Sequence, residues 1–276
     1  MADRVQVQGL CRFSFPCTGG FKKYHDSLEE RRAALYAPDR LNQRMTWFCH
    51  VGLPGLRAQT DKDFTLHLLL GEDFPQPWRD ALLAMIADVP QIVPAFRPPG
   101  DHRAVCREVL LSGRDPKADA VAEFRLDDDD AVAVNYVQSL RRNWSRVHRL
   151  ASSAGRVALD QGKGMVLEAR AGQGIVPHLF LTMCWAPALA IYLRPEDTGI
   201  IMDFPHHKIW QRLPFVSLTE QVMFIRGHHT TNDAQTPWKA TAPVAHDPAD
   251  LPGLLRRRFD IDLDGFDRVW QGLANG

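Results

Sequence analysis

The chain has 276 residues, 33 basic and 33 acidic side chains, and 45% apolar residues. That length supplies a sizeable core for one large domain or two small ones, and the balanced charge argues against a nucleic-acid binder, whose phosphate contacts normally need a basic excess. No apolar run reaches the roughly 20 residues that span a bilayer, MADRVQVQGL lacks the apolar centre of a signal peptide, and the five scattered cysteines form no CxxC pair, so a cytoplasmic chain without structural zinc or disulfides is expected.

VQVQGLCRFSF (5–15) alternates and then runs apolar, as a first strand does, and it ends in PCTGGF, where Pro16, Gly19 and Gly20 interrupt regular structure. SLEERRAALYA (27–37) has helical character. RLNQRMTWFCHVGLPGLRAQ (40–59) carries apolar residues at helical spacing, with Pro54 bending or ending a turn. DFTLHLLLGED (63–73) is the continuous apolar run of a strand buried on both faces of a parallel sheet. A helix follows over 75–90 with proline near its start, then a short strand over 91–96, a helix over 102–112 and a strand over 118–126. VNYVQSLRRNWSRVHRL (134–150) puts Val137, Leu140, Trp144 and Val147 on one helical stripe. Strands and helices thus alternate through residue 150, which predicts an α/β layer with a mostly parallel sheet flanked by helices.

Beyond 150 the pattern changes. RVALDQGKGMVLEARAG (156–172) reads as a hairpin turning at QGKG, and HLFLTMCW (178–185) as an apolar run of undecided type before a loop rich in proline and histidine. TEQVMFIRGHHTTND (219–233) reads as a strand opening into a polar loop, and 250–273 as two short helices, each preceded by an aspartate N-cap. With no internal repeat or linker, one domain over 1–276 is expected, with halves 1–150 and 151–276. LLRRRF (254–259) reads as a solvated helix face, its alternative being peripheral contact with anionic lipid at the inner membrane face.

The residues that ask for chemistry are Asp127, Asp128, Asp129 and Asp130, set between the apolar stretches AVAEFRL and AVAVNYV. Carboxylates crowded at the carboxyl end of a strand, where α/β sheets bind ligands, need a cation, and Mg²⁺ or Mn²⁺ suits hard oxygen donors that also hold phosphates. At strand spacing Asp127 and Asp129 share one face, and Asp128 and Asp130 the other. The alternative is a solvated acidic turn. His228–His229 and His206–His207 could each supply one further ligand, with the first pair favoured because Gly227 and Asn232 shape its loop. Thr18, Gly19 and Gly20 offer a cradle for phosphate without matching the usual nucleotide loops, and Arg12 and Arg125 stand at the same strand ends, ready for phosphates or for the aspartates. GxSxG and HExxH are absent.

Taken together, RLNQRMTWFCHVGLPGLRAQTDKDFTLHLLLGEDFP (40–75), RLDDDDAV, QVMFIRGHHTTND and FSFPCTGGF resemble a bacterial family of rhamnosyltransferases related to GT-A-fold glycosyltransferases. The likeness runs over about 7–235, and it departs from the family pattern where Gly227 precedes rather than follows the histidine. It implies a GT-A-like, Rossmann-like fold and a nucleotide-diphosphate-sugar donor. It also implies an Asp-x-Asp pair in which Asp129 reaches Mn²⁺ or Mg²⁺ and Asp127 lies near the ribose or a metal-bound water, with Asp130 next in line. The resemblance further implies a glycan or lipid-linked acceptor. An inverting reaction would need a carboxylate base, for which Asp203 and Glu196 are candidates beside Asp197 and Glu168. Two rival readings stay open: a Mg²⁺-dependent nucleotidyltransferase or hydrolase, and a non-catalytic divalent-cation or sugar-binding protein.

Overall fold

The computed structural model describes residues 3–19, 27–170, 174–232 and 242–274. Four strands, β1 (Val5–Arg12), β2 (Thr65–Gly71), β3 (Ile92–Arg97) and β4 (Ala120–Asp127), pair in parallel in the order β4-β1-β2-β3. The residues of β1, β2 and β4 are nearly all buried, as continuous apolar strands with both faces covered must be. Helices α1 (Leu28–Leu35), α2 (Pro38–Trp47), α3 (Leu53–Arg57), α4 (Gln76–Ile86), α5 (His102–Ser112) and α6 (Tyr136–Ala154) occupy the connections. The helix expected over 40–59 is a single helical run from α2 into α3, widened at Phe48–Gly52 into a π turn whose Leu53 N–H reaches the Phe48 carbonyl. Pro54 has no N–H to give, and the wide turn just before it lets the helix continue.

The remaining strands are β5 (Ala131–Val132), β6 (Val157–Gln161), β7 (Lys163–Arg170), β8 (Gly174–Leu181), β9 (Leu189–Leu193), β10 (Phe215–Leu218), β11 (Phe224–His228) and β12 (Ala242–Pro243). The first sheet grows to seven strands, β10-β6-β9-β4-β1-β2-β3, with β9 antiparallel to both neighbours and the other pairings parallel. A second sheet has the order β12-β8-β7-β11-β5. The fold is therefore a mixed α/β one, rich in parallel pairs and flanked by helices, as expected. No described helix is long and apolar enough to cross a membrane.

The hairpin expected over 156–172 does not form. β6 lies in the first sheet beside β9 and β10, whereas β7 lies in the second beside β8 and β11. Both strands are apolar and find distant partners, so the chain changes sheets at Gly162 rather than folding back. A Cβ on Gly162 would meet the Thr182 carbonyl oxygen at 2.7 Å and the Ser217 hydroxyl at 2.8 Å, so glycine is the residue that fits between them. The true hairpin is β7 with β8, which absorbs the first part of the HLFLTMCW run. Strand β9, in the stretch read as loop, is missing from the expectation altogether, although all five of its residues are buried.

Helices α7 (Leu251–Phe259) and α8 (Leu263–Ala274) close the described chain. Asp262 accepts from Gly265 N–H at the start of α8, while Asp250 before α7 makes no side-chain cap, because Asp247 caps the short turn ahead of it. One apolar cluster joins the two sheets, with Phe124 and Leu126 of β4, Met165 of β7 and Phe224 of β11 in it, and a second fills the space between the first sheet, α5 and residues 200–209. Fully buried Glu123 ties these layers: Arg114 pairs with it at 2.7 Å, and Gln8 and the Ile201 N–H donate to it at 3.0 Å.

Gly162→Ala is expected to destabilise the protein by about 1–3 kcal/mol through overpacking against backbone, read as a lower urea midpoint with an unchanged slope. A neutral result would mean that the crossing between the sheets is looser than this geometry.

Candidate active site

A cavity of about 260 Å³ opens at the carboxyl ends of β1 and β4. Five arginines face it: Arg12 from β1, Arg40 and Arg44 from α2, Arg125 from β4, and Arg226 from β11. Arg40 and Arg44 are one helical turn apart and so share a face of α2. Against them stand Asp127, Asp128, Asp129 and Asp130.

The four aspartates do not continue the strand. The chain turns after Asp127, whose carbonyl accepts from Asp130 N–H at 3.2 Å while the Asp130 carboxyl accepts from Asp127 N–H at 3.3 Å. The alternation expected for an extended segment is thereby lost: Asp128 and Asp129 share one partner instead of facing opposite ways. Arg44 donates to Asp128 at 2.7 Å and lies 2.8 Å from Asp129, and it also reaches the Thr231 carbonyl at 2.8 Å. All three side chains are almost fully buried. Asp127 is different, being paired with Arg12 at 2.5 Å and 46% exposed towards the cavity. Three of the four carboxyls, Asp128, Asp129 and Asp130, are thus buried rather than solvated.

Electrostatics sort the four carboxyls. Burial works to raise Asp127, but Arg12 outweighs it and holds the group below its ordinary value. Asp129 is likewise held well below, burial being overcome by Arg44 and the hydrogen bond from His229. Burial, with Asp129 and Asp127 adding, lifts Asp128 to about 6 in spite of Arg44. Asp130 is pushed well above its ordinary value by burial and then by Asp129 and Asp127. Like charges about 4 Å apart near a protein surface repel by about 4 kcal/mol, so a proton on Asp130 relieves the crowding.

The second sheet closes the site from the other side. His229 Nε2 lies 3.0 Å from Asp129, and Asn232 donates to the same carboxylate oxygen at 2.5 Å. With the Thr231 hydroxyl on His229 Nδ1 at 2.9 Å, the ring is neutral and donates from Nε2; burial holds its pKa down at about 4. Trp47 stacks on it at 4.8 Å. Gly227 allows this approach, because a Cβ there would meet the Asp129 carbonyl oxygen at 2.7 Å. The glycine that departs from the family pattern is therefore a packing requirement of this chain.

Of the histidine pairs, His229 turns inward and His228 turns away towards Glu168, 4.0 Å off. His206, the less favoured choice, lines the cavity as well, with burial and Arg125 holding it down at about 4. His102, not anticipated, lies 3.0 Å from Arg12 and is driven to about 3 by burial and by Arg12 and Arg125. Thr18 pairs with the 100–102 segment, neither it nor Gly19 lines the cavity, and Gly20 lies outside the described residues. The candidate bases are not brought in either. Asp203 is bound to Arg107 at 2.5 Å and to the Ile200 N–H, Asp197 to Arg156, Glu168 to His178, and Glu196 is exposed.

The sequence profile of the family described as "Putative rhamnosyl transferase" matches residues 6–241. The chain belongs to this family. No curated protein matches the sequence significantly. Among solved structures, residues 1–349 of TarS from S. aureus are similar at 9% identity and a TM-score of 0.43, with 80% of this chain and 60% of that chain covered. The same fragment in complex with UDP-GlcNAc is similar at 10% identity and a TM-score of 0.42, covering 99% of this chain and 72% of that chain. A 4-diphosphocytidyl-2C-methyl-D-erythritol synthase from Anaerococcus prevotii DSM 20548 is similar at 9% identity and a TM-score of 0.30, with 77% and 86% covered. The chain thus spans 60% of the length of the first of these structures.

The family resemblance makes the aspartates the expected holders of Mn²⁺ or Mg²⁺. As arranged, the donor set does not fit such an ion. Asp128 and Asp129 are spent on Arg44, Asp129 also on His229 and Asn232, and Asp127 on Arg12. Among the described residues no three of His, Cys, Asp and Glu are gathered as ion ligands. What the cavity offers is guanidinium N–H groups in excess of ionised carboxylates, an arrangement suited to a multiply charged anion.

Arg44→Met is expected to cost about 3–5 kcal/mol of stability, because it strands two buried carboxyls. Asp130→Asn should change stability at pH 7 by no more than about 1 kcal/mol, since a protonated carboxyl and an amide carry the same charge. Urea unfolding of the two variants side by side checks both; a large loss in Asp130→Asn would mean that Asp130 is ionised.

Proposed function

We propose that the protein is a glycosyltransferase that moves a hexosyl group, rhamnosyl in keeping with the family, from a nucleoside-diphosphate donor to a hydroxyl of a glycan or lipid-linked acceptor. The observation that carries this reading is the arginine-rich cavity at the ends of β1 and β4, the part of an open α/β sheet where ligands bind. Family membership supports the reaction class. Residues 1–150 are read as the donor half, supplying Arg12, Arg125 and the aspartates. Residues 151–276 are read as the acceptor-side half of one unit, and Met202, His206 and Arg226 are among the residues by which it walls the cavity.

In this reading the acceptor hydroxyl oxygen bonds to the anomeric carbon as the bond from that carbon to the β-phosphate oxygen breaks. The electron pair of the broken bond stays on the departing nucleoside diphosphate, and the hydroxyl proton passes to that diphosphate or to water. Fixed N–H donors that face the departing oxygens stabilise that charge without having to reorganise. Asp127, held ionised by Arg12 and open to the cavity, is the carboxylate we assign to the ribose hydroxyls of the donor.

A thermal-shift panel of uridine, thymidine, guanosine and cytidine diphosphates and their sugars tests this. At a hundredfold excess over Kd, one base should stabilise the native state by about 2.7 kcal/mol, or about 5–10 °C for a chain of this size, and Asp127→Asn should reduce the shift. A flat panel would overturn the donor site. Release of pyrophosphate would mark a nucleotidyltransferase, nucleotide hydrolysis without an acceptor a hydrolase, and saturable binding without turnover over any acceptor a non-catalytic protein.

A further inference from the structure

Among the described residues two of the cavity arginines, Arg125 and Arg226, make no ion pair with a carboxylate. Among the described residues Arg125 makes no ion pair, its Nε is buried without an acceptor, and its one polar contact is the Met202 sulfur at 3.9 Å. Arg226 likewise makes no ion pair among the described residues, and its guanidinium lies over the Trp185 ring, 4.9 Å from the centroid. Both face the cavity that the aspartates face. Leaving the buried Nε of Arg125 without an acceptor costs free energy, and a ligand that supplies oxygens between Arg125 and the half-buried Arg226 would meet both.

The aspartates, by contrast, are already neutralised from within the protein. Arg12, Arg44, His229 and Asn232 take the oxygens of Asp127, Asp128 and Asp129, and Asp130 is driven towards its neutral form by burial and by its acidic neighbours. A divalent cation entering here would have to displace guanidinium groups from their partners and settle beside those that remain. A diphosphate would meet the opposite situation: fork-shaped donors matched to its oxygens and a local excess of positive charge.

We propose that Arg125 and Arg226 bind the diphosphate of the donor directly and take over the charge neutralisation otherwise expected of a divalent ion, so that donor binding does not need Mn²⁺ or Mg²⁺. The inference rests on the nucleoside-diphosphate reading given above, and it predicts something that reading does not. Arg125, lowered to about 10 by burial and by Arg12, remains charged at neutral pH and is ready to pair. Trp185 behind Arg226 holds that guanidinium by its π face while leaving the N–H edge free to donate.

The test is isothermal titration of the full chain with the nucleoside diphosphate selected by the panel, once in excess chelator and once in Mn²⁺, repeated with Arg125→Met and Arg226→Met and with the corresponding nucleoside. Affinity in chelator should lie within about threefold of that in Mn²⁺. Each variant should lose at least about tenfold towards the diphosphate, the loss expected when a charged donor to phosphate is removed, with nucleoside affinity nearly unchanged. If Arg125→Met fails to fold, Arg226→Met and the chelator arm decide. Binding that appears only with Mn²⁺, or variants that bind the diphosphate as tightly as the parent, would overturn the inference while leaving the donor reading intact. An absence of binding in both conditions would overturn both.

Discussion

The pairing of Arg44 with Asp128 and Asp129 joins three segments that lie far apart in the chain: α2, the turn after β4, and, through the Thr231 carbonyl, the loop after β11. Each partner is almost wholly removed from water, and a buried charge is tolerable only when it is paired and hydrogen-bonded. The turn cannot therefore move away from α2, nor α2 from the turn, without stranding a charge. Other features of the site follow from this fixed point. Trp47, three residues beyond Arg44, is placed to stack on His229, and His229 with Asn232 satisfies the oxygen of Asp129 that Arg44 approaches.

The two sheets make such a site possible because they diverge. Through β1 and β4 the first sheet delivers Arg12, Arg125 and the aspartates along one line of strand ends. A chain that stayed in this sheet would leave those ends facing solvent. Instead it leaves at Gly162, and the second sheet carries β11 across, so that Gly227 packs against the Asp129 backbone and Arg226 faces the cavity from the far side. Glu123, buried one turn of the pleat below the site, fastens β4 to Arg114 and to the Ile201 N–H. The strand that presents Arg125 and Asp127 is thus braced by its own ion pair rather than by the ligand it would bind.

Much of this was legible in the residues, and the parts that were not share a cause. Alternation of apolar strands and helices through residue 150 is local, and each of those elements appears within a few residues of its expected bounds. The hairpin at 156–172 and the loop expected after HLFLTMCW failed because pairing there is non-local: RVALDQ and KGMVLEAR sit side by side in sequence but complete different sheets. Brevity hid β9, the five residues LAIYL preceded by Pro187 and by Ala188, whose φ of 59° breaks the strand pattern. At the site, the aspartates announced themselves by charge density, and Arg12 and Arg125 by adjacency to strand ends. Arg40, Arg44 and Arg226 were missed, since an arginine on a helix or a strand looks like any solvated one until the fold shows what it faces. The four-residue spacing of Arg40 and Arg44 was the available signal, but it acquires meaning only when α2 is known to cross the end of β4.

The balanced charge of the whole chain conceals an unbalanced site. Thirty-three acids and thirty-three bases cancel over the sequence, yet within the cavity five arginines meet four carboxyls, one of them driven towards neutrality and another raised to about 6. The histidines that line it, His102 and His206, are pushed to about 3 and about 4 and add no charge at pH 7. Gathering these guanidinium groups is costly: burial first, and then Arg12, lowers the Arg125 pKa to about 10, and an anion that binds there recovers part of that cost. Acidic residues in the motif invite a reading in terms of cations, but a motif counts charges only along the chain. The field a ligand meets is set by what the fold adds from elsewhere, and here it adds arginines.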